Sequence, residues 1–337
     1  ALFVLIHSLI PSLVVAQSKR PMTADDIMRI RSVGGVEISP AGDRVLYTVS
    51  AWEHQNANPT RGDTALGDKH ERRSHLWVVP YAGGAARQLT FSERGESNAR
   101  WSPDGSTISF VSARGVANGD DGPRPQIWLL PTDGGEAAQL TSARDGVGAY
   151  TWSPDGSRVA YLTTDSLTRD AEAKLRRRDD PKVYEGDLRL SHIWLIDVAT
   201  KQATKVTSGA YTVRGAPSWS PDGTRLAFDA SPTNLIRDER RDAYVVTIAT
   251  RQLDAITAMH EVESTPQFSP NGKTLAFTTN GHEWKAYKDG IMPRTIRNAH
   301  LVTFDIATRA LTDHAQPNFD VSVGQPRWSA DGAHVWF

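Results

Sequence analysis

The chain has 337 residues, a net charge of −1 and no cysteine. Balanced charge gives no electrostatic drive toward nucleic acid or acidic membranes. The missing thiols exclude disulfides, thiol catalysis and cysteine-type zinc sites. With 39% hydrophobic residues, 26 Gly and 19 Pro, the composition is globular and rich in turns.

Residues 1–16 form an apolar run broken by His7 and Pro11, ending in Val14-Val15-Ala16 before Gln17. The run is too short and interrupted for a spanning helix and reads as the core of a secretory signal, cleaved after Ala16. Export to the periplasm or the medium is the expectation. Residues 17–35 then read as a lead-in with one helix. Thr23 stands as N-cap, Asp25 and Asp26 sit in its first turn, and Gly34-Gly35 supply a stop.

From Val36 to Phe337 one motif repeats. Ser39-Pro-Ala-Gly42, Ser102-Pro-Asp-Gly105, Ser153-Pro-Asp-Gly156, Ser220-Pro-Asp-Gly223, Ser269-Pro-Asn-Gly272 and Ser329-Ala-Asp-Gly332 recur every 49 to 67 residues. A period of that size means an array of supersecondary units. Pro presets φ, Asp or Asn bonds nearby backbone, and Gly accepts positive φ, so each motif is a tight turn inside a hairpin. Apolar runs follow the turns, such as Ile108-Ser-Phe-Val111 and Leu226-Ala-Phe228. A third strand carries His75-Leu-Trp77, Gln126-Ile-Trp128, His192-Ile-Trp194, Ala243-Tyr-Val245 and His300-Leu-Val302. A short fourth strand ends at Thr90, Thr141, Thr207 or Thr257. Four strands per period, arranged radially, make an all-β propeller. Near-continuous apolar runs fit sheets covered on both faces.

Three insertions, 52–74, 166–190 and 281–298, lack apolar periodicity and read as solvated loops gathered on one working face. Trp336-Phe337 falls inside the strand that should follow the sixth turn, so about five and a half blades are expected, with more chain downstream. An open edge of that kind is prone to association into oligomers.

Thr23-Ala-Asp-Asp-Ile-Met-Arg-Ile-Arg-Ser-Val33, leading into Val36-Glu-Ile-Ser-Pro40, resembles the lead-in of the prolyl oligopeptidase family. The acylaminoacyl-peptidase and dipeptidyl aminopeptidase branches look closest. Ile127-Trp-Leu-Leu-Pro-Thr-Asp-Gly-Gly135 and the Trp-Ser-Pro-Asp-Gly hairpins are similar to its propeller repeats, and the likeness runs from about Pro21 to Phe337. The resemblance implies a propeller that caps an α/β-hydrolase domain and restricts a Ser-Asp-His triad to short peptides. No Gly-x-Ser-x-Gly elbow occurs in this sequence; the nearest approach is Gly95-Glu-Ser97-Asn-Ala99. The chain is therefore expected to hold no catalytic residues and to gate a hydrolase domain that lies beyond it.

Some dipeptidyl members hold the substrate's free amine with propeller glutamates, and Glu185 in the second insertion is the candidate here. No cofactor and no metal is expected. His260-Glu261 and His282-Glu283 open like zinc-protease helices, but Ser264 and Ala286 stand where the second histidine belongs. His75, His192 and His300 share one repeat position and read as structural. Asn118-Gly-Asp-Asp-Gly122 lacks the distal Glu of a calcium loop. Lys174–Arg178 is flanked by acids with no aromatics among them, so nucleic acid is not an expected partner. Trp77, Trp128 and Trp194 read as core. The competing function is a stand-alone Tol-system-like envelope propeller that binds protein partners.

Overall fold

The computed structural model describes residues 21–54, 70–115, 122–167, 169–177, 189–232, 240–257, 262–279, 299–314 and 324–337. Five antiparallel sheets follow one another along the chain, and a hairpin begins a sixth. Blade 1 is β1 (Ser32–Ile38), β2 (Arg44–His54), β3 (His70–Pro80) and β4 (Arg87–Gln88). Blade 2 is β5 (Ser97–Trp101), β6 (Thr107–Ser112), β7 (Gln126–Pro131) and β8 (Ala138–Gln139). Blade 3 is β9 (Tyr150–Trp152), β10 (Arg158–Thr164), β11 (Ser191–Asp197) and β12 (Ala203–Lys205). Blade 4 has a first strand in two pieces, β13 (Thr212–Val213) and β14 (Ser218–Trp219), then β15 (Arg225–Ser231), β16 (Asp242–Thr247) and β17 (Gln252–Ala255). Blade 5 is β18 (Glu263–Phe268), β19 (Thr274–Thr279), β20 (His300–Asp305) and β21 (Leu311–Asp313); β22 (Arg327–Trp328) and β23 (Val335–Trp336) follow. The fold is a β-propeller, and the four strands of a blade are called a to d in chain order.

The core lies between blades rather than within one sheet. Leu46, Leu76 and Val78 of blade 1 pack on Trp101, Ile108 and Phe110 of blade 2. The next residue, Val111, faces the other way and joins Tyr150, Val159 and Tyr161 of blade 3. In blades 2 to 5 the b strand is covered on both faces; β6, β15 and β19 are buried throughout after their first residue. The d strands are the exposed edges, as in β17 and β21.

All six a–b turns use one device. The turn serine donates to an acid or amide at 2.5 to 2.8 Å: Ser39 to Asp43, Ser102 to Asp104, Ser153 to Asp155, Ser220 to Asp222, Ser269 to Asn271 and Ser329 to Asp331. The same hydroxyl accepts the first N–H of strand b, as from Thr107 at 3.0 Å and Arg158 at 2.9 Å. In blade 1 the acid is displaced to Asp43, because Ala41 occupies the usual Asp position. Gly105 has φ 71°, and an added Cβ there would also lie 3.5 Å from Pro40, so successive turns stack glycine on proline.

These hydrogen bonds hold Asp104, Asp155 and Asp222 down to about 2, with the serine hydroxyl the largest cause in each. The folded value lies below the unfolded value of about 3.9. The contribution to stability is therefore complete above pH ~4 and lost as pH falls through about 2. Ser102→Ala is expected to raise the Asp104 value toward ~3.9, read by carboxyl carbon shifts in an NMR titration; an unmoved Asp104 would refute the serine's role.

The lead-in departs from expectation. Helix α1 spans only Ala24–Met28, capped by Thr23, whose hydroxyl donates to Asp26 at 2.8 Å. Gly34 and Gly35 do not end it; they sit inside β1, where the register shifts between Gly34 and Glu37. Gly35 takes φ 57° at this bulge, and Asn98 (51°) and Thr265 (52°) take the same role at the matching bulges of β5 and β18. The first two insertions are also not loops throughout. β2 and β3 run as 11-residue arms out to His54 and His70, and a second helix, α2 (Arg169–Arg177), lies in the second. The third insertion and residues 1–16 lie outside the described residues.

Candidate functional site

The antiparallel order gives each blade two ends. The a–b and c–d turns share one; the b–c connections and the crossings from d to the next a share the other. All three insertions are b–c connections, so they start and finish at one end. That end carries the buried charge.

At the junction of blades 1 and 2, Glu96 has a side chain with no solvent exposure. Its Oε2 accepts from Thr90 Oγ1 at 2.6 Å and lies 3.0 Å from His75 Nδ1; its Oε1 accepts from Arg114 at 2.6 Å. His75 Nε2 lies 3.0 Å from Glu53, which also faces Arg73 at 3.5 Å. The arm lengths of β2 and β3 set this up: Glu53 and His75 lie on strands that pair as far as His54 and His70. Arg114 stacks over Phe110 at 4.7 Å. The crossing segment is pinned by the Glu96 N–H, which donates to Ser74 O at 2.7 Å.

In blade 3, Asp165 receives Lys205 at 2.6 Å and faces His192 Nε2 at 3.4 Å, while Asp145 pairs with Arg189 at 2.5 Å. Burial, reinforced by Lys205, holds the His192 imidazole below its ordinary value, against the pull of Asp165. Thr207, His192 and Asp165 have the order of a nucleophile, base and orienting acid. Thr207 Oγ1 already accepts the Ile193 N–H at 2.8 Å and is buried. Thr90, Thr141 and Thr257 make the same bond to Leu76, Ile127 and Ala243. The threonine therefore ties strand c to the end of strand d in four blades, and the arrangement is structural.

At the junction of blades 4 and 5, Asp229 is 2% exposed and follows the apolar run Leu226-Ala-Phe228. Burial pushes its carboxyl up, and Arg241, 3.7 Å away, opposes that shift. Its Oδ1 accepts the Thr265 N–H at 3.4 Å. Thr265 is β-branched, precedes Pro266 and yet holds φ 52°, a conformation that costs about 1–3 kcal/mol. Glu263, fully buried, begins β18 six residues before the turn serine, as Glu96 precedes Ser102.

Of the residues singled out in the sequence, Glu185, His260-Glu261 and His282-Glu283 lie outside the described residues, as do Asn118 to Asp121. Lys174 and Arg177 belong to α2. His75, His192 and His300 each face an acid, the last Asp313 at 3.8 Å. His75 lies between its carboxylates rather than around a void, and among the described residues no group of three or more ligands is placed to hold a metal. Trp128 and Trp194 pack half-buried against the inter-blade clusters. Ser97, nearest to an elbow, starts a strand and opens no helix. Missed were Glu96, Asp229 and Glu263. Alignment on the turn serines would have exposed the paired glutamates, and a lone acid after Phe228 was a signal for Asp229.

The arrangement places buried carboxylates and cations at one end of the blades. A model described as the TolB beta propeller domain matches residues 185–284. An uncharacterized peptidase of Bacillus subtilis (strain 168), YuxL, is 30% identical over 230 residues, covering 64% of this chain and 32% of that protein. Dipeptidyl-peptidase 5 of Porphyromonas gingivalis is 24% identical over a 348-residue alignment, covering 94% of this chain and 46% of that protein. The chain is similar to the amino-terminal propeller of prolyl oligopeptidase family peptidases. It spans less than half the length of these two relatives. A solved structure assigned as TolB, from Agrobacterium tumefaciens, shares the fold at 20% identity with a TM-score of 0.53, covering 90% of this chain and 87% of its own. Among the described residues, no helix is long and apolar enough to cross a membrane.

Proposed function

We propose that this propeller gates an exported serine peptidase that releases aminoacyl or dipeptidyl units from short peptides. The observation that carries the reading is the match to a dipeptidyl-peptidase along 94% of the chain. The shared end of the three insertions supports it, because charge at that end, as in the Glu96–Arg114 and Asp165–Lys205 pairs, suits the polar backbone and termini of an extended peptide. A Ser-Asp-His triad in an α/β-hydrolase domain outside this chain performs the cleavage. The propeller's part is to exclude, admit and orient. Glu185 is proposed to meet the substrate's free amine, since a desolvated ammonium needs a carboxylate partner.

The test is the reading frame beyond Phe337 and the activity of its full product. A Gly-x-Ser-x-Gly followed by Asp and His is expected, with peptide hydrolysis abolished by a serine-directed reagent. Glu185→Gln should slow free-amine substrates and spare amino-blocked ones. The 337-residue chain alone is expected to hydrolyse neither. A stop codon just after the last blade, or reagent-sensitive turnover by the chain alone, overturns the proposal. The TolB beta propeller match at residues 185–284 favours one alternative, a stand-alone envelope propeller that binds proteins; the early stop codon is its signature.

A further inference from the structure

The repeats act as each other's controls, and the junction of blades 1 and 2 differs from the junctions of blades 2 and 3 and of blades 4 and 5. In blades 3 and 5 the c–d turn presents a long cation to the outer strand of the preceding blade. Lys201 donates to Gln139 O at 3.0 Å, and Arg309 reaches Asp254 at 3.0 Å and Ala255 O at 2.7 Å. Blade 2 has Gly135 at that turn position, and the outer strand opposite carries a cation of its own, Arg87.

A second exchange occurs beside it. Arg158 and Arg225 begin their b strands, stack over Trp219 and Phe268 of the next blade, and donate to the Gly223 and Gly272 carbonyls at 3.1 and 3.3 Å. Arg44 stacks over Trp101 in the same way at 4.9 Å. The corresponding carbonyl, Gly105 O, accepts from Thr132 Oγ1 at 3.2 Å instead. Among the described residues, the exposed Asp43 is the only acid paired with Arg44, at 3.4 Å from Nε, and the Arg44 Nη atoms have no acceptor.

The result is a cavity of about 130 Å3 between blades 1 and 2, room for about four waters. Val78, Leu89, Trp101, Ile108 and Leu130 line it, with Arg44, Arg87 and Thr132 as its polar groups and no acid in its wall. Trp101 is 7% exposed and its Nε1 is buried with no acceptor among the described residues. Its counterparts Trp219 and Trp328 donate to backbone carbonyls of the preceding blade. Where Lys201 and Arg309 reach across from the c–d turns of blades 3 and 5, blade 2 has Gly135, and the space is faced by Arg44 and Arg87.

We propose that this cavity binds a small aliphatic monocarboxylate. The carboxylate lies against Arg44 and Arg87, and the short tail lies on Trp101 and Leu130. The site is at the turn end of the blades, opposite the insertions, so it is separate from the proposed peptide path.

Butyrate is the probe, followed by the Trp101 indole resonance in NMR, with uncharged butyramide of the same shape as control. Saturable shifts with butyrate and none with butyramide are expected. Arg87→Gln, on an exposed strand, and Arg44→Gln should each weaken binding about tenfold, the scale of one hydrogen bond to a charged group. Equal binding of butyramide, unchanged affinity in both variants, or no butyrate response at all would overturn the proposal. Arg87→Gln keeps the test intact if Arg44→Gln loosens the blade junction.

Discussion

Phe228→Ala is expected to destabilise the protein by about 3–5 kcal/mol, the range for removing a fully buried aromatic. Phe228 has no exposed surface and sits at the junction of blades 3 and 4 with Leu162, Ile193 and Val213. Its ring lies 5.8 Å from Tyr244 and 6.4 Å from Tyr211, nearly parallel to both, and the two tyrosines stack at 6.1 Å. Deleting it removes one corner of a triangle of three rings all about 6 Å apart, and the backbone of Tyr244 is held in place by strand pairing with β15 and β17. Urea unfolding measures the cost. In a repeat array each blade touches only its neighbours, so hydrogen exchange should accelerate most in β10, β11, β15 and β16 and least in blade 1. A loss under ~1 kcal/mol, or uniform acceleration, would show that the junctions are not the units of stability.

That junction was only half visible in the sequence. Ala227 and Phe228 are adjacent, yet one belongs to the blade 4–5 cluster and the other to the blade 3–4 cluster. Their run of apolar neighbours showed that both faces are covered, but nothing in it says by what. The turns were legible because their chemistry is local: serine, proline, acid and glycine within five residues decide the backbone and bond one another. The bulge at Asn98 and Thr265 was not, because it reflects how strand a bends against the preceding blade. α2 was hidden for a different reason. Its residues suit a helix by propensity, but their charge suppresses the apolar periodicity by which a helix is recognised.

The candidate site follows the same division. A histidine in three c strands was readable as a repeat position, and each of the three faces an acid. The acids that meet those histidines were not readable. Asp165 follows the end of β10 and Asp313 lies on β21, away from their partners on β11 and β20, and Glu96 comes from the crossing into the next blade. Side chains that acquire their environment from three separate segments have no signature in any one of them. What a sequence does show is the exception to its own repeat, as with Asp229 after the apolar run Leu226-Ala-Phe228 or Gly135 where blades 3 to 5 carry Lys201, Arg251 and Arg309.

Glu96→Ala is expected to cost about 3–5 kcal/mol, the scale for removing one partner from a buried ionic network. Three donors converge on this carboxylate, from Thr90, His75 and Arg114. Its removal leaves a 7%-exposed histidine and a 4%-exposed threonine facing a void. Glu96→Gln separates charge from shape. The amide fills the same space but sets N–H donors against N–H and O–H donors, so it should also destabilise, by less than alanine does. A double-mutant cycle with His75→Ala isolates the pair, and coupling of about 0.5–3 kcal/mol is expected for residues in one network. Because Glu96 joins the third strand of blade 1 to the first of blade 2, its loss should also widen the junction at the insertion end while leaving the Ser102 turn intact. The Asp104 carboxyl, held at about 2 by that turn, is the internal control: it should titrate unchanged in Glu96→Ala. A variant within ~0.5 kcal/mol of the parent would mean that the carboxylate is held for a ligand rather than for the blades.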